Sequence, residues 1–203
     1  RTHSFPTRRS SDLITCGSRV HPAMERRIAT AVLALAIVFG VTGSADAAAG
    51  DELLARLQPT ADINDFAELL SPADEETLEN RCRQLREKTG AQLAVVVLKS
   101  LEGGQIDDFG EKLFRKWGIG QADRNNGVLL LVAIKDRKAR IEVGYDLEPV
   151  LPDALAGRIL NEQLFPQFKA GRYFAGLQSA VNRIASIVEA DEPAPQALRN
   201  GRR

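Results

Sequence analysis

The sequence predicts an α/β fold with a small mixed β-sheet, in which a parallel crossover is followed by an antiparallel hairpin, and with helices on both faces. Two continuous apolar runs, QLAVVVL (92–98) and NGVLLLVAI (126–134), flank a segment with helical apolar spacing. Such runs are typical of strands that are covered on both faces. The second run leads through a polar turn into an alternating segment, ARIEVG (139–144), which predicts a hairpin ending in a half-exposed edge strand.

The helices are predicted from end signals and apolar stripes. Ser71 and Pro72 are typical of the first positions of a helix, and Gly90 is typical of the residue after its end. Leu78, Cys82 and Leu85 share one face, so we expect Cys82 to be a small core residue. Four helices are predicted in this way, over 72–89, 106–117, 153–165 and 173–188, the last two separated by Pro166 and Gly171.

The connections predict how the strands pair. A strand, a helix and a second strand joined by short links indicate a right-handed parallel crossover. A hairpin turn centred between Asp136 and Arg137 places Asn126 opposite Leu147 and Asp123 near Val150. The loop before the second strand and the segment after the third therefore meet at one end of the sheet.

The first 47 residues do not read as part of the folded domain. Residues 1–23 precede the only methionine and are interpreted as a non-native or disordered leader. Residues 24–47 combine a basic start, an apolar run from 28 to 41 and a final Ala-x-Ala, which predicts a secretory signal peptide. An exported, periplasmic or extracytoplasmic protein is therefore expected, with an uncleaved N-terminal anchor as the alternative. The α/β domain is assigned to 48–190, and the polar stretch 191–203 is predicted to be a disordered tail.

Composition excludes several kinds of site. Residues 48–203 hold 21 Lys and Arg against 24 Asp and Glu, so no basic excess predicts nucleic-acid binding. The same range contains no histidine and only one cysteine, Cys82. Ser-His-Asp and Cys-His nucleophiles, histidine zinc sites and histidine bases are thus excluded there. Gly103 and Gly104 are a turn signal rather than a phosphate loop, and no organic cofactor is expected.

Oxygen-bearing side chains gather at the end of the sheet where the two loops meet. Their carboxylates repel one another unless a cation or solvent separates them, and a hard divalent ion, Ca²⁺ above all, accepts such irregular oxygen ligands. Ordinary turn and helix-cap chemistry is the alternative reading of the same residues. The spacing is not that of an EF-hand, because the glycine comes one position early. The candidate metal ligands are Asp123, Asn126, Asp146, Glu148 and Asp153.

Several stretches together resemble the TPM domain, a family that includes thylakoid lumen, photosystem-repair, receptor-modulating and exported bacterial proteins. They are AQLAVVVLKSLEG, FRKWGIG, DRNNGVLLLVAIKDRKARIEVGYDLEPVLPD and PQFKAGRYFAGL, and the similarity runs over roughly 57–190. The resemblance implies a Rossmann-like sandwich in a non-cytoplasmic compartment. It also implies divalent metal binding in some members, accessory roles at membrane complexes in others, and acid phosphatase activity in a thylakoid relative. Asp146 stands where relatives often have a second glycine.

Two functions follow as hypotheses. The favoured one is a non-enzymatic module that binds a divalent cation and contacts an envelope or membrane protein. The alternative is a metal-assisted acid phosphatase, in which Glu148 or Asp153 is the base and Arg124 pairs with the phosphate.

A basic patch marks the predicted hairpin tip, at the other end of the sheet. It is read as a solvated turn, with contact to anionic lipid or a partner as the alternative. Its members are Lys135, Arg137, Lys138 and Arg140.

Overall fold

The computed structural model describes residues 44–120 and 124–191, and the predicted leader, most of the signal peptide and nearly all of the tail lie outside these ranges. The last predicted signal-peptide residues, 44–47, begin the first helix. In chain order the elements are α1 (Ser44–Arg56), β1 (Ile63–Asp65), α2 (Pro72–Thr89), β2 (Gln92–Leu98), α3 (Ile106–Trp117), β3 (Gly127–Ala133), β4 (Lys138–Val143), a 3₁₀ turn (Tyr145–Leu147), α4 (Asp153–Ile159), a π-helical turn (Leu160–Leu164), α5 (Phe165–Lys169) and α6 (Tyr173–Asp191).

The four strands form one mixed sheet in the order β1-β2-β3-β4. The first three strands are parallel, and β4 is antiparallel to β3. The predicted α/β class, with a parallel crossover and an antiparallel hairpin, is confirmed.

Helices cover both faces of the sheet and create two cores. Leu93, Val95 and Val97 of β2 face the larger core, which α2, α4 and α6 complete. The alternate residues Ala94 and Val96 face the smaller core beneath α1 and α3. Because successive side chains of a strand point to opposite faces, the continuous apolar run of β2 supplies both cores.

The two parallel crossovers have opposite hands. The connections β1-α2-β2 and β2-α3-β3 step in the same direction across the sheet. Their helices, however, lie on opposite faces. The rule that such crossovers are right-handed therefore holds for one of them and fails for the other.

The helix α2 begins and ends at the predicted residues. Ser71 Oγ accepts a hydrogen bond from Asp74 N at 3.2 Å, and Asp74 Oδ2 accepts one from Ser71 N at 3.2 Å, which completes a capping box. Gly90 ends the helix with a φ of 75°, in the left-handed region that glycine adopts without strain.

The predicted hairpin register is wrong by two residues. Val128 pairs with Val143, whereas the predicted turn centre required Tyr145. The turn occupies 134–137, with Arg137 N donating to Ile134 O at 3.2 Å and Arg137 at a φ of 54°. An even shift leaves every side chain on its predicted face, so the predicted cores survive the error.

Two further expectations need correction. The predicted helix over 153–165 is α4 followed by the π-helical turn, and helical structure continues through α5 to Lys169. Pro166 stands at the start of α5, where its missing N–H is tolerated. Residues 58–65 (QPTADIND), which the sequence predicts to be a turn-rich lead-in, contain β1, a strand of three residues. Within the described ranges, no helix is both long and apolar enough to span a bilayer.

Cys82 lies in the larger core with a relative exposure of 1%, as predicted. Burial raises the pKa of its thiol from 9.0 to about 12, and the nearby carboxylates of Asp62 and Glu79 act in the same direction. The thiol is therefore protonated at neutral pH and is a packing group rather than a nucleophile.

We expect Cys82 to make the protein less stable in alkali. Between pH 9 and about 12 the unfolded thiol is ionised while the folded thiol keeps its proton. The unfolded state then binds fewer protons, so the free energy of unfolding falls with pH, by at most about 1.4 kcal/mol per unit. Urea unfolding at pH 8, 9 and 10 measures this slope. Cys82→Ala should show a shallower slope, and identical slopes in the two proteins would contradict the assignment.

Candidate functional site

Three glycines bring the loop before β3 and the segment after β4 into backbone contact. A Cβ atom on Gly127 would lie 2.2 Å from Ile119 O, and one on Gly144 would lie 1.9 Å from Asn125 O. Gly120 has a φ of 100°, and a Cβ there would lie 2.5 Å from Gly127 N. We call Gly120, Gly127 and Gly144 the glycine corner. No residue with a side chain fits at these positions without moving the backbone.

Hydrogen bonds hold the glycine corner at the amino ends of β2 and β3. Gly144 N donates to Gly127 O at 2.8 Å, which extends the β3–β4 ladder by one step. Gln92 N donates to Asn126 O at 3.2 Å, and Gly120 N donates to Gln92 Oε1 at 2.9 Å. The predicted meeting of the two loops is therefore present in the backbone, although through Gly144 rather than Leu147.

The predicted ligands differ in their surroundings. Asn126 is buried, at 6% exposure, and its Nδ2 donates to Gly90 O at 2.9 Å. This bond ties the end of α2 to the start of β3. Asp146, Glu148 and Asp153 are exposed. Asp123 lies outside the described residues.

Buried leucines determine the path of the segment that carries the exposed carboxylates. Leu147 N donates to Gly144 O at 2.9 Å, and Leu151 N donates to Leu147 O at 2.8 Å. Both leucines are buried in the larger core, Leu151 completely. The acidic side chains between and beside them are consequently held at the surface.

Asp153 is the first residue of α4, and Pro152 occupies the cap position without a side-chain cap bond. The alternative reading of Asp153 as a helix cap is therefore wrong. A carboxylate in the first turn still interacts favourably with the positive end of the helix dipole.

Arg140 of β4 is surrounded by acidic side chains. Its Nε donates to Glu142 Oε1 at 2.6 Å, and its Nη1 donates to Asp107 Oδ1 at 2.8 Å. The bond to Glu142 raises the pKa of Arg140, and the charges of Asp107 and Asp153 add to this effect. Three carboxylates against one guanidinium leave an acidic excess along this edge of the sheet.

The chemistry available at the glycine corner is oxygen ligation. Hard cations such as Ca²⁺ take carboxylate and carbonyl oxygens in flexible geometry. Within 44–120 and 124–191, no three His, Cys, Asp or Glu side chains lie close enough together to hold a metal ion. Asp123 lies outside those ranges.

A cavity of about 600 Å³ lies at the other end of β3. Sequence reasoning missed it as a cavity, although two residues of the basic hairpin patch, Arg137 and Lys138, line it. The aromatic residues that complete it come from α5 and α6, about 30 positions further along the chain.

Comparison with known proteins gives a family match. The model of the TPM domain matches residues 63–187. No curated protein matches the sequence.

Three solved structures are similar to the chain. The N-terminal domain of a protein from P. gingivalis is 38% identical with a TM-score of 0.61, over 64% of this chain and 83% of that one. Two others are similar in fold. The N-terminal domain of cg2496 from Corynebacterium glutamicum is 13% identical with a TM-score of 0.53, over 68% and 88% of the two chains. The BA42 protein from Bizionia argentinensis is 21% identical with a TM-score of 0.54, over 62% and 85%.

Two Gly-to-Ala changes, one in the glycine corner and one outside it, are expected to have opposite effects on stability. Gly144→Ala should lower the free energy of unfolding by about 3 kcal/mol, because the new methyl group meets a backbone carbonyl that cannot turn away. Gly157→Ala is the matched control, since a Cβ in α4 at that position has no neighbour within 4 Å. It should raise the free energy of unfolding by about 0.5–1 kcal/mol. Urea unfolding followed by circular dichroism measures both, and a Gly144→Ala protein as stable as wild type would refute the contact.

Proposed function

Since this chain belongs to the TPM domain family, we propose that it is a non-enzymatic accessory module of the cell envelope that binds a divalent cation, Ca²⁺, at the glycine corner. The observation that carries the proposal is the backbone contact between Gly144 and Asn125. It joins the two segments on which all the candidate ligands lie.

The cation site combines one loop from each side of this contact. Asp123 stands three residues before Asn126 in the sequence, and Asp146, Glu148 and Asp153 come from the segment after β4. Asn126 belongs to the same set, and its bond to Gly90 holds the first loop in place. An ion between the loops neutralises carboxylates that otherwise repel one another.

The residues also support a binding role over catalysis. No histidine occurs in 48–203. Cys82, the one thiol of that range, is buried and has a pKa raised to about 12. A binding site of exposed carboxylates suits an exported protein, because extracellular calcium modules work at dissociation constants of about 10⁻⁴–10⁻³ M. We propose that the partner, an envelope or membrane protein, binds beside the exposed carboxylates of the glycine corner.

Metal-assisted phosphomonoester hydrolysis is the second candidate. What favours it is that Glu148 and Asp153 are both exposed beside the corner. A cation held there would make a water molecule more acidic, and either carboxylate would be its base. Arg124 is also exposed and lies next to Asn125 in the same loop. A guanidinium there can pair with a phosphate in a bidentate manner.

Calcium titration tests the cation site. We expect saturable binding in calorimetry and a higher melting temperature in Ca²⁺ than in EDTA, because a ligand that binds only the folded state stabilises it. Glu148→Gln together with Asp153→Asn should weaken binding about tenfold or more, since affinity follows the number of charged ligands. Glu76→Gln, an exposed carboxylate on α2, is the matched control and should bind like wild type.

Absence of heat and of thermal stabilisation in wild type would dispose of the site. The same proteins, immobilised on resin, test the partner. Wild type and Glu76→Gln should retain an envelope protein in Ca²⁺ and release it in EDTA, and the double variant should not retain it.

Turnover of a chromogenic phosphate ester tests the second candidate. We expect no turnover above that of a repurified blank, because the proposed site binds the cation without catalysis. If hydrolysis survives repurification and falls at least about 100-fold in Glu148→Gln and in Asp153→Asn, the protein is a phosphatase. Activity from a contaminant would persist in both variants.

A further inference from the structure

The cavity at the carboxyl end of β3 has the size and lining of a ligand site. Its volume is about 600 Å³, within the range of small-molecule sites. Residues 132–134 form its floor, and α5 and the start of α6 form its wall. Ligands of open α/β sheets bind beyond the carboxyl ends of the parallel strands, which is where this cavity lies.

Three cations line the cavity and no carboxylate does. They are Arg137 and Lys138 of the hairpin and Lys169 at the end of α5. Within the part of the chain that the structure describes, none of their side chains takes part in an ion pair or hydrogen bond. The contrast with Arg140, which is matched by Glu142 and Asp107, is sharp. Unmatched positive charge around a concave surface favours an anion.

The opposite wall is aromatic and held in position. The rings of Phe168 and Tyr173 pack edge to face, with centroids 5.2 Å apart and an angle of 84° between their planes. Phe168 also rests on Gly176 of α6, where a Cβ would lie 2.7 Å from Phe168 Cδ1. Phe165 and Pro166 extend this apolar wall. Aromatic faces next to cations suit a ligand that carries an apolar body on its charged group.

The chain departs from regular α-helix at this wall. The π-helical turn Leu160–Leu164 directly precedes α5, and Asn161 of that turn lines the cavity. Such turns widen a helix by one residue and are frequent at functional sites. Pro166 follows at the start of α5, where it lacks the N–H group that a regular α-helix would use.

We propose that this cavity binds an amphipathic anion, a phosphate or phosphonate group attached to an aromatic or aliphatic body. Arg137 and Lys169 hold the charged group, and the Phe168–Tyr173 wall covers the body. A guanidinium offers the bidentate geometry that suits such an anion. The cavity lies at the opposite end of β3 from the glycine corner, so this proposal does not depend on the proposed cation site.

The test uses 1-naphthylphosphonate, which cannot be hydrolysed, in isothermal titration of the full chain with EDTA present. EDTA removes any contribution from the proposed cation site. We expect saturable binding, with inorganic phosphate and the neutral 1-naphthalenemethanol each at least about tenfold weaker because each lacks one half of the ligand.

Charge-removing variants locate the binding. Arg137→Gln and Lys169→Gln should each weaken naphthylphosphonate binding about tenfold, the value of a charge-assisted hydrogen bond. Lys135→Gln is the matched control, since Lys135 lies in the same turn, is exposed and does not line the cavity. It should change the affinity less than about twofold. Because all three side chains are exposed, none of the variants is expected to disturb the fold. The amide NMR spectrum of each variant checks this.

Vesicle flotation identifies the source of the anion. If the chain floats with phosphatidylglycerol vesicles but not with phosphatidylcholine vesicles, and Arg137→Gln abolishes this while Lys135→Gln does not, the ligand is a lipid headgroup. If naphthylphosphonate binds and vesicles do not, the ligand is a soluble anion. The proposal is overturned if naphthylphosphonate does not bind, or if Lys135→Gln weakens binding as much as Arg137→Gln, because the interaction is then that of a general basic surface.

Discussion

The contact of backbone with backbone at the glycine corner is the constraint on which the rest of this fold depends. Gly127 begins β3, the strand that supplies side chains to both cores. Because its backbone lies against Gly120 on one side and Gly144 on the other, the start of β3 cannot slide along the strand direction relative to either neighbouring segment. A side chain at any of these points would separate the loops and move the central strand at the same time. Because Gly144 is also the start of the segment that carries Asp146 and Glu148, the close packing that positions β3 also positions these surface carboxylates.

Local sequence patterns were sufficient to predict most helices and strands, but they did not predict the position of the hairpin turn or the strand β1. The capping box at Ser71 involves residues three apart, so the sequence alone predicts it. The hairpin turn, by contrast, depends on Asp136, whose Oδ2 accepts a hydrogen bond from Leu101 N at 2.9 Å across 35 residues. No pattern within the hairpin reports that bond. The strand β1 is equally non-local, because three residues become a strand only by pairing with Val95–Val97.

The candidate site shows the same division. The apolar runs and the hairpin were enough to predict that the two loops meet, since an even error in register leaves the topology unchanged. The burial of the Asn126 side chain was not predictable, because its partner Gly90 is 36 residues away in the sequence, at the end of α2. A buried amide is strongly favoured to be paired. The structural role of that residue thus follows from tertiary contacts that spacing alone does not reveal.

In the described part of the protein, the basic hairpin patch divides into one cation with acidic partners, Arg140, and cations without them. Arg140 lies opposite Leu131, on the face covered by α3, and there it meets Asp107 at the start of that helix. Arg137 precedes the strand in the turn, at a φ of 54°, and lines the cavity on the other face of the sheet. One of two cations three positions apart is therefore neutralised within the protein, and the other is left facing a concave surface with aromatic walls. A patch that reads as uniform in sequence consequently has two electrostatic roles, and only the cations without a protein partner can hold an external anion.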